Sequence, residues 1–407
     1  MYLQTSKYRL QRKKPRRFNL ALIFLLIALI VFAVFLQRNI GQVVTPMFIP
    51  TPTPTRPAAS YATDAAAMFM DGKLVSSMEL YRQAILLAPT NSDLYVALSR
   101  VQVFAHDYDG AVETARYAVL LSKSAIGYAV WGEALYRQER EKDLPAYESA
   151  AKQLRKSLEL DPSLALAHAY LAEVLMDTDW QYYEDASEEA RKAIALAPDL
   201  MESHRAMGFV YAMTGNYLEA LDEYTKAVEL HGKLRDLWIS LGDCYNALDK
   251  SIEAVQAYTN ATTYDSTDPI PFTKLARLYA GDGQFGKAEQ SAEMAVTLAP
   301  QNPAYHGLYG VMLYRNHKID QAIVELKLAI IGGRVGDVVV EGLPLGPFPI
   351  SEYYWTYGLA LAKSGQCSDA VPVFRLLEQQ MPDDEIAVAN AVEGLILCQE
   401  ATPAPSG

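Results

Sequence analysis

The sequence predicts an all-α fold, an α-solenoid of helix pairs stacked one on the next behind a single N-terminal membrane helix. Three observations carry that prediction. Gly208, Gly242, Ala276 and Gly310 recur at a strict 34-residue interval. Twelve residues after each comes an alanine (Ala220, Ala254, Ala288, Ala322), and seven residues further a second (Ala227, Ala261, Ala295, Ala329). The apolar residues around them recur at helical spacing, as in Met207, Val210 and Tyr211 and then Leu221, Tyr224 and Val228, with Gly215 and Asn216 marking the turn between. One such pair cannot bury both of its faces, so stability must come from stacking three or more copies.

From the N-terminus, residues 1–17 form a basic tail with Lys7, Arg9, Arg12, Lys13, Lys14, Arg16 and Arg17. The seventeen residues Leu20 to Leu36 are all apolar, about 25 Å of helix, and Phe18 and Asn19 extend them towards the ~30 Å of a bilayer core. A transmembrane helix is therefore expected over 18–37. A cleaved signal peptide is the rival, but no small-x-small pattern follows the apolar run closely, which favours an uncleaved anchor. Seven basic residues precede the span and Arg38 closely follows it, so the N-terminus is expected in the cytoplasm and the rest outside. Residues 38–57 form a linker. Its Thr45–Pro57 stretch holds five prolines and four threonines, which predicts a polyproline II spacer of up to ~40 Å.

The array occupies 58–383. Trp238, Leu241, Gly242, Tyr245, Ala254, Tyr258 and Ala261 resemble, in order and spacing, the signature of the tetratricopeptide repeat family. The next copy runs Phe272, Leu275, Ala276, Tyr279, Ala288 and Ala295 and closes on Pro300. Weaker copies follow the same pattern on both sides. Ala65, Ser77, Ala84 and Pro89 mark the first, and Ser99, Ala111 and Ala118 the second. Gly132, Ala150, Ser157 and Pro162 mark a third with six extra residues, Ala172, Ala186, Ala193 and Pro198 a fourth with two, and Gly358, Ala370, Leu377 and Pro382 the last. The resemblance implies about nine helix-turn-helix repeats in a right-handed superhelix. Residues 332–350 interrupt it as a Pro/Gly-rich hydrophobic loop. Residues 384–400 read as a capping helix with Ile386, Val388, Val392, Leu395 and Ile396 as its apolar set, and 401–407 as a disordered tail.

Charge excludes one class of partner. The whole chain carries −12, and residues 1–57 hold nine Lys+Arg and no acid; subtracting +9 leaves −21 on the remaining 350 residues. Such a surface repels nucleic acid. Gly281-Asp-Gly-Gln-Phe-Gly286 imitates a dinucleotide fingerprint and, with Lys287, a phosphate loop, but it follows a helix and Ala288 stands where Ser or Thr is needed. Six histidines show no metal-ligand spacing; His168, His204 and His306 share a repeat position that is normally aromatic, so packing accounts for them. No catalytic residue, cofactor or metal site is expected, and the protein is read as no enzyme. Cys367 and Cys398 are placed where a bridge would tie down the capping helix in an oxidising compartment, the alternative being two buried thiols. Cys244 reads as a packed hydrophobe.

Function is then expected on surfaces, with a protein or peptide as partner. The resemblance implies a concave groove lined by the first helix of each repeat. Phe69, Arg100, Val103, Glu133, Tyr136, Glu173 and Met176 fall there in the first four repeats, and Arg205, Phe209, Asp243, Asn246, Arg277, Tyr314 and Trp355 in the later ones, about half of them truly exposed. The lysine and asparagine set with which co-chaperone members clamp a carboxylate is lacking. Two departures from the repeat are further candidates, since insertions map to loops: the aromatic turn Trp180, Tyr182 and Tyr183, and the long loop with Leu345 and Phe348. The expected protein is an interaction scaffold on the outer face of a bacterial-type cytoplasmic membrane. Alternatives are an organelle import-type receptor with cytosolic repeats, or an envelope or carbohydrate-handling factor, which would need a polar pocket with paired carboxylates.

Overall fold

The computed structural model describes residues 19–43, 56–142 and 147–401. The basic tail, most of the Pro/Thr linker, the extra residues 143–146 of the third repeat and the last six residues lie outside the described residues. The chain divides into two units, residues 1–56 and 57–407.

The first unit contributes α1 (Leu20–Val43). Its segment Leu20–Arg38 has a mean hydropathy of 3.1, long and apolar enough to cross a membrane. The helix runs on past the expected end at residue 37, because Gln37 to Val43 holds no proline to stop it.

In the second unit the described residues form nine successive helix pairs. They are α2 (Ala58–Met70) with α3 (Leu74–Leu87), α4 (Ser92–Phe104) with α5 (Tyr108–Leu121), and α6 (Ala125–Glu141) with α7 (Glu148–Leu160). Next come α8 (Ala165–Thr178) with α9 (Tyr183–Leu196), α10 (Met201–Met213) with α11 (Tyr217–Leu230), and α12 (Arg235–Ala247) with α13 (Ser251–Tyr264). The array continues with α14 (Ile270–Gly281) and α15 (Phe285–Leu298), α16 (Pro303–Arg315) and α17 (Ile319–Ile330), and α18 (Ile350–Lys363) and α19 (Cys367–Gln380), and ends on α20 (Glu385–Ala401).

The turn inside each pair has a stereochemical cause. Gly72, His106, Gly215, Asp249, Gly283, His317 and Gly365 all have positive φ, and the next residue's N–H reaches back to close the helix end, as Asn216 N does to Tyr211 O at 2.9 Å. Glycine takes that conformation freely; the two histidines and the aspartate occupy it without that freedom. The third and fourth pairs depart, the fourth by a single 3-10 turn, Trp180–Tyr182.

Pair packing is a match of sizes. A Cβ on Gly242 would lie 2.4 Å from the Tyr258 ring, one on Gly310 2.5 Å from Leu326 and one on Gly358 2.5 Å from Phe374. Where the first helix carries Ala276 instead, the residue sixteen positions on is the small Ala292. Both rows of repeat alanines, Ala220 to Ala322 and Ala227 to Ala329, are fully buried. Dense packing of this kind leaves no room for added methyl groups.

Histidine packing differs from the expectation. His168, His204 and His306 do not merely fill space: each ring bonds a proline carbonyl (Pro162, Pro198 and Pro300, at 3.0, 2.7 and 2.9 Å) through Nε2. Through Nδ1 each meets a glutamate of its own repeat's second helix, Glu189, Glu223 and Glu325. The buried polar ring is thereby satisfied on both sides.

Two further differences concern the C-terminal part. The insert is not a plain loop: β1 (Gly332–Val335) and β2 (Val338–Glu341) form an antiparallel hairpin about Gly336 and Asp337, since β-branched valines flank a two-residue turn with Gly336 at φ 58°. Its Val340 is buried and Val339 exposed. The capping helix buries a face only partly the expected one: Leu395 packs on the core and Val388 is half-buried. Ala387, Ala391, Gly394 and Cys398 are buried, whereas Ile386, Val392 and Ile396 point to solvent. The Phe374 ring explains it, lying 2.0 Å from where a Cβ on Gly394 would be, so only small residues let α20 approach. Cys367 and Cys398 are joined by a disulfide between α19 and α20.

Candidate functional site

The inner helices α4, α6, α8 and α10 carry charged residues at matching heights, and the array brings them together. Arg137 Nε donates to Glu133 at 2.9 Å, Arg205 Nε to Glu173 at 2.8 Å and Arg205 Nη2 to Glu133 at 3.0 Å. Arg137 also bonds Glu173, and Arg100 bonds Glu202 across 102 residues of sequence. The Arg205 guanidinium lies over Phe104 and Tyr170, at 5.7 and 5.8 Å. Tyr136 donates to Asp177 at 3.0 Å. In this part of the array the expected groove residues Glu133, Tyr136, Glu173, Met176 and Arg205 are buried, and Arg100 is half-buried. The charged ones are paired, Arg205 with Glu133 and Glu173 and Arg100 with Glu202, because a buried charge needs its partner.

The cause is closure of the array on itself. Asp71 at the end of α2 pairs with Lys233 before α12, at 2.8 Å. Phe69 packs on His231 at 4.7 Å and on Phe104 at 5.5 Å. Phe104, Met201, Leu234 and Leu237 make one apolar cluster with Phe69 and Leu74. Gly72 fits because a Cβ there would sit 2.6 Å from the Lys233 carbonyl oxygen. His106 lies against Arg235 and Asp236, the latter at 3.2 Å. The first two repeats thus touch the fifth and sixth.

Inside the closed turn remains a cavity of about 520 Å³. Its apolar wall includes Val103, Phe209, Met213 and Ile239; Tyr108, Arg140, Asp236 and Lys274 supply polar groups. Arg140 lies over Phe209 at 5.9 Å, and Lys274 pairs with Asp243 at 2.8 Å. Burial raises the Asp236 carboxyl, but the His106 bond and the Arg235 guanidinium outweigh it and hold the group well below the usual range. Burial pushes the Tyr108 hydroxyl up to about 12 and the Cys244 thiol likewise to about 12. Sequence reasoning missed His106, Tyr108, Asp236 and Lys274; the first three stand at turns or helix starts, which the repeat pattern treats as connections.

The signature glycines against their large partners, the αL turns at the repeat period and the nine stacked pairs together decide the architecture. This is a tetratricopeptide-repeat solenoid. Human IFIT1, in its dimer with m7Gppp-AAAA, shares the fold at a TM-score of 0.58 and 14% identity, over 85% of this chain and 90% of its own. A tetratricopeptide repeat protein from Parabacteroides merdae matches 63% of this chain and 98% of its own at 15% identity, TM-score 0.40. Pseudomonas aeruginosa pilF matches 50% of this chain and 91% of its own at 23% identity, TM-score 0.42. No protein-family model and no curated protein matches the sequence.

In the later part of the tetratricopeptide array the inner face changes character. Asn246 is exposed, and Arg277 and Tyr314 are half-exposed. Arg277 lies over the Phe348 ring at 5.6 Å and 3.7 Å from Glu352, while Lys363 lies over Tyr314 at 4.6 Å. Trp355 is buried in the core. Leu345 is half-buried against that core, and Phe348 is 62% exposed. In the aromatic turn Trp180 is also 62% exposed and stacks on Tyr183 at 5.7 Å, with Tyr182 packed inward. The glycine-rich segment 281–286 is an ordinary repeat turn between α14 and α15.

Proposed function

We propose that this protein is a membrane-anchored scaffold whose repeats bind a protein or peptide partner on the outer face of a bacterial-type cytoplasmic membrane. One observation carries the reading. The inner face of repeats two to five is spent on internal ion pairs, whereas Asn246, Arg277 and Tyr314 of repeats six to eight keep exposed polar and aromatic surface. A partner-binding face needs such accessible polar groups beside aromatic area. The outward orientation is supported by the basic residues ahead of α1 and by the Cys367–Cys398 disulfide, a bond of oxidising compartments.

The test is affinity purification of the full-length protein from its native membrane, followed by mass spectrometry. A stoichiometric partner lost on combined Asn246→Ala, Arg277→Ala and Tyr314→Ala substitution is the expected result. Trp180→Ala and deletion of 338–348 report on the two inserted elements. A partner retained by all three variants, or none at all, overturns the reading. Digestion of the repeats by protease added to intact spheroplasts checks the orientation.

A further inference from the structure

Repeats in a solenoid touch their neighbours, yet here the first meets the fifth and sixth. At the centre of that contact is His231, at the end of α11. It is buried, packed on Phe69, and neither ring nitrogen has a hydrogen-bond partner. A neutral imidazole tolerates this place as an aromatic plate. An imidazolium would carry two N–H donors and a charge into it with no acceptor. From the geometry we infer that the contact between the first and fifth repeats is a pH-operated clasp: protonation of His231 releases Phe69 and opens the inner face of repeats one to six.

The surroundings of His231 bear on the sign. From α4 it is faced by Arg100, from α10 by Glu202, from its own turn by Lys233, and beyond Lys233 by Asp71 at the end of α2. Glu202 could welcome the cation, but Arg100 already occupies it, as Lys233 does Asp71. Burial, with Arg100 and Lys233, outweighs the residue's own backbone and Glu202, which favour the charged ring, and lowers the imidazole below its ordinary value. A histidine held neutral in the closed form stabilises it above the pKa of the exposed ring, and closure weakens as pH falls below that value. Each unit below about 6.5 then shifts the open-to-closed ratio by up to about tenfold. Release of the clasp would expose Phe69, Phe104 and the wall of the 520 Å³ cavity. The regulatory use rests on the partner-binding reading above; the clasp itself does not.

The experiment measures distance without any partner. Full-length protein in lipid nanodiscs is spin-labelled at exposed Glu79→Cys on α3 and Glu229→Cys on α11, and the distance distribution is read at pH 7.5 and 5.0. A single short distance at pH 7.5 and a second, longer population at pH 5.0 are expected. His231→Phe keeps the aromatic plate without the titration and is expected to stay closed at both. Asp71→Lys sets two cations across the closing turn and is expected to give the longer distance already at pH 7.5. An unchanged wild-type distribution at pH 5.0, or a folded His231→Phe protein that opens like wild type, overturns the clasp. Should that variant lose its helicity, amide exchange of wild type at Gly72 to Leu74 and Leu234, corrected for intrinsic pH dependence, decides: it must accelerate on acidification while α16 does not. Opening without any change in partner capture would leave the clasp and the partner-binding reading standing and overturn only the regulatory use; loss of capture in the Asn246→Ala, Arg277→Ala and Tyr314→Ala protein tests that reading separately.

Discussion

At the scale of single residues, the repeat is kept by size and by paired polar groups. Gly242→Ala puts a methyl 2.4 Å from the Tyr258 ring, and overpacking of this kind costs about 1–3 kcal/mol; urea unfolding should show that loss, and Tyr258→Leu in the same chain should recover part of it. The buried histidines His168 and His306 are a second case, and both are shifted upward. The Glu189 hydrogen bond raises His168; at His306 burial lowers the ring, but the Glu325 bond outweighs it and the net direction is up. A histidine whose folded pKa is raised stabilises fully below its unfolded value of about 6.5, and the gain fades as pH rises through the folded pKa. The partner carboxylate Glu189, where the bonds from His168 and Lys192 overcome burial to lower the pKa, contributes above about 4.5 and fades as pH falls through its depressed value. The melting-temperature gap between wild type and His168→Gln/His306→Gln should therefore be widest between about pH 4.5 and 6.5 and narrow by pH 8. An equal gap at both ends would mean that the rings act by shape alone.

At the scale of elements, the terminal helix shows where pattern reading falls short. Its large apolar residues were the natural choice for the buried face, but the Phe374 ring leaves room only for Gly394, and the small Ala387 and Ala391 are buried with it. Ile396→Ser should change stability by less than about 0.5 kcal/mol, while Ala391→Leu should cost about 1–3 kcal/mol and loosen α20, both readable by thermal melts. The Cys367–Cys398 link closes a 31-residue separation, and its loss in a Cys367→Ser/Cys398→Ser protein should cost about 3–4 kcal/mol by the loop-entropy relation. Faster amide exchange confined to α19 and α20 would mark the effect as local. The hairpin was legible only as an apolar insert, since four-residue strands carry too little periodicity to tell from a loop.

At the scale of the whole molecule, closure replaces strict neighbour-to-neighbour stability by a longer-range coupling. Deleting residues 58–91 removes Phe69 and Asp71, and amide exchange should then accelerate around Lys233 and Leu237, some 160 positions away, with α16 to α19 unaffected. Acceleration graded evenly along the array would instead show an ordinary solenoid. The sequence by itself determined the helix pairs, their number, the apolar N-terminal helix and the matched glycines and alanines, because each depends on partners in the same repeat, about sixteen positions apart at most in the regular copies. It also singled out Arg100, Tyr136, Met176 and Arg205, which lie on α4, α6, α8 and α10. Only the tertiary structure decided that Arg205 would be spent on Glu133 and Glu173, Arg100 on Glu202 and Tyr136 on Asp177, while Asn246, Arg277 and Tyr314 keep accessible surface. That outcome rests on contacts between residues 102 to 162 positions apart, set by the small rotation each repeat adds to the last, and a rotation summed over five repeats leaves no mark at any one of them.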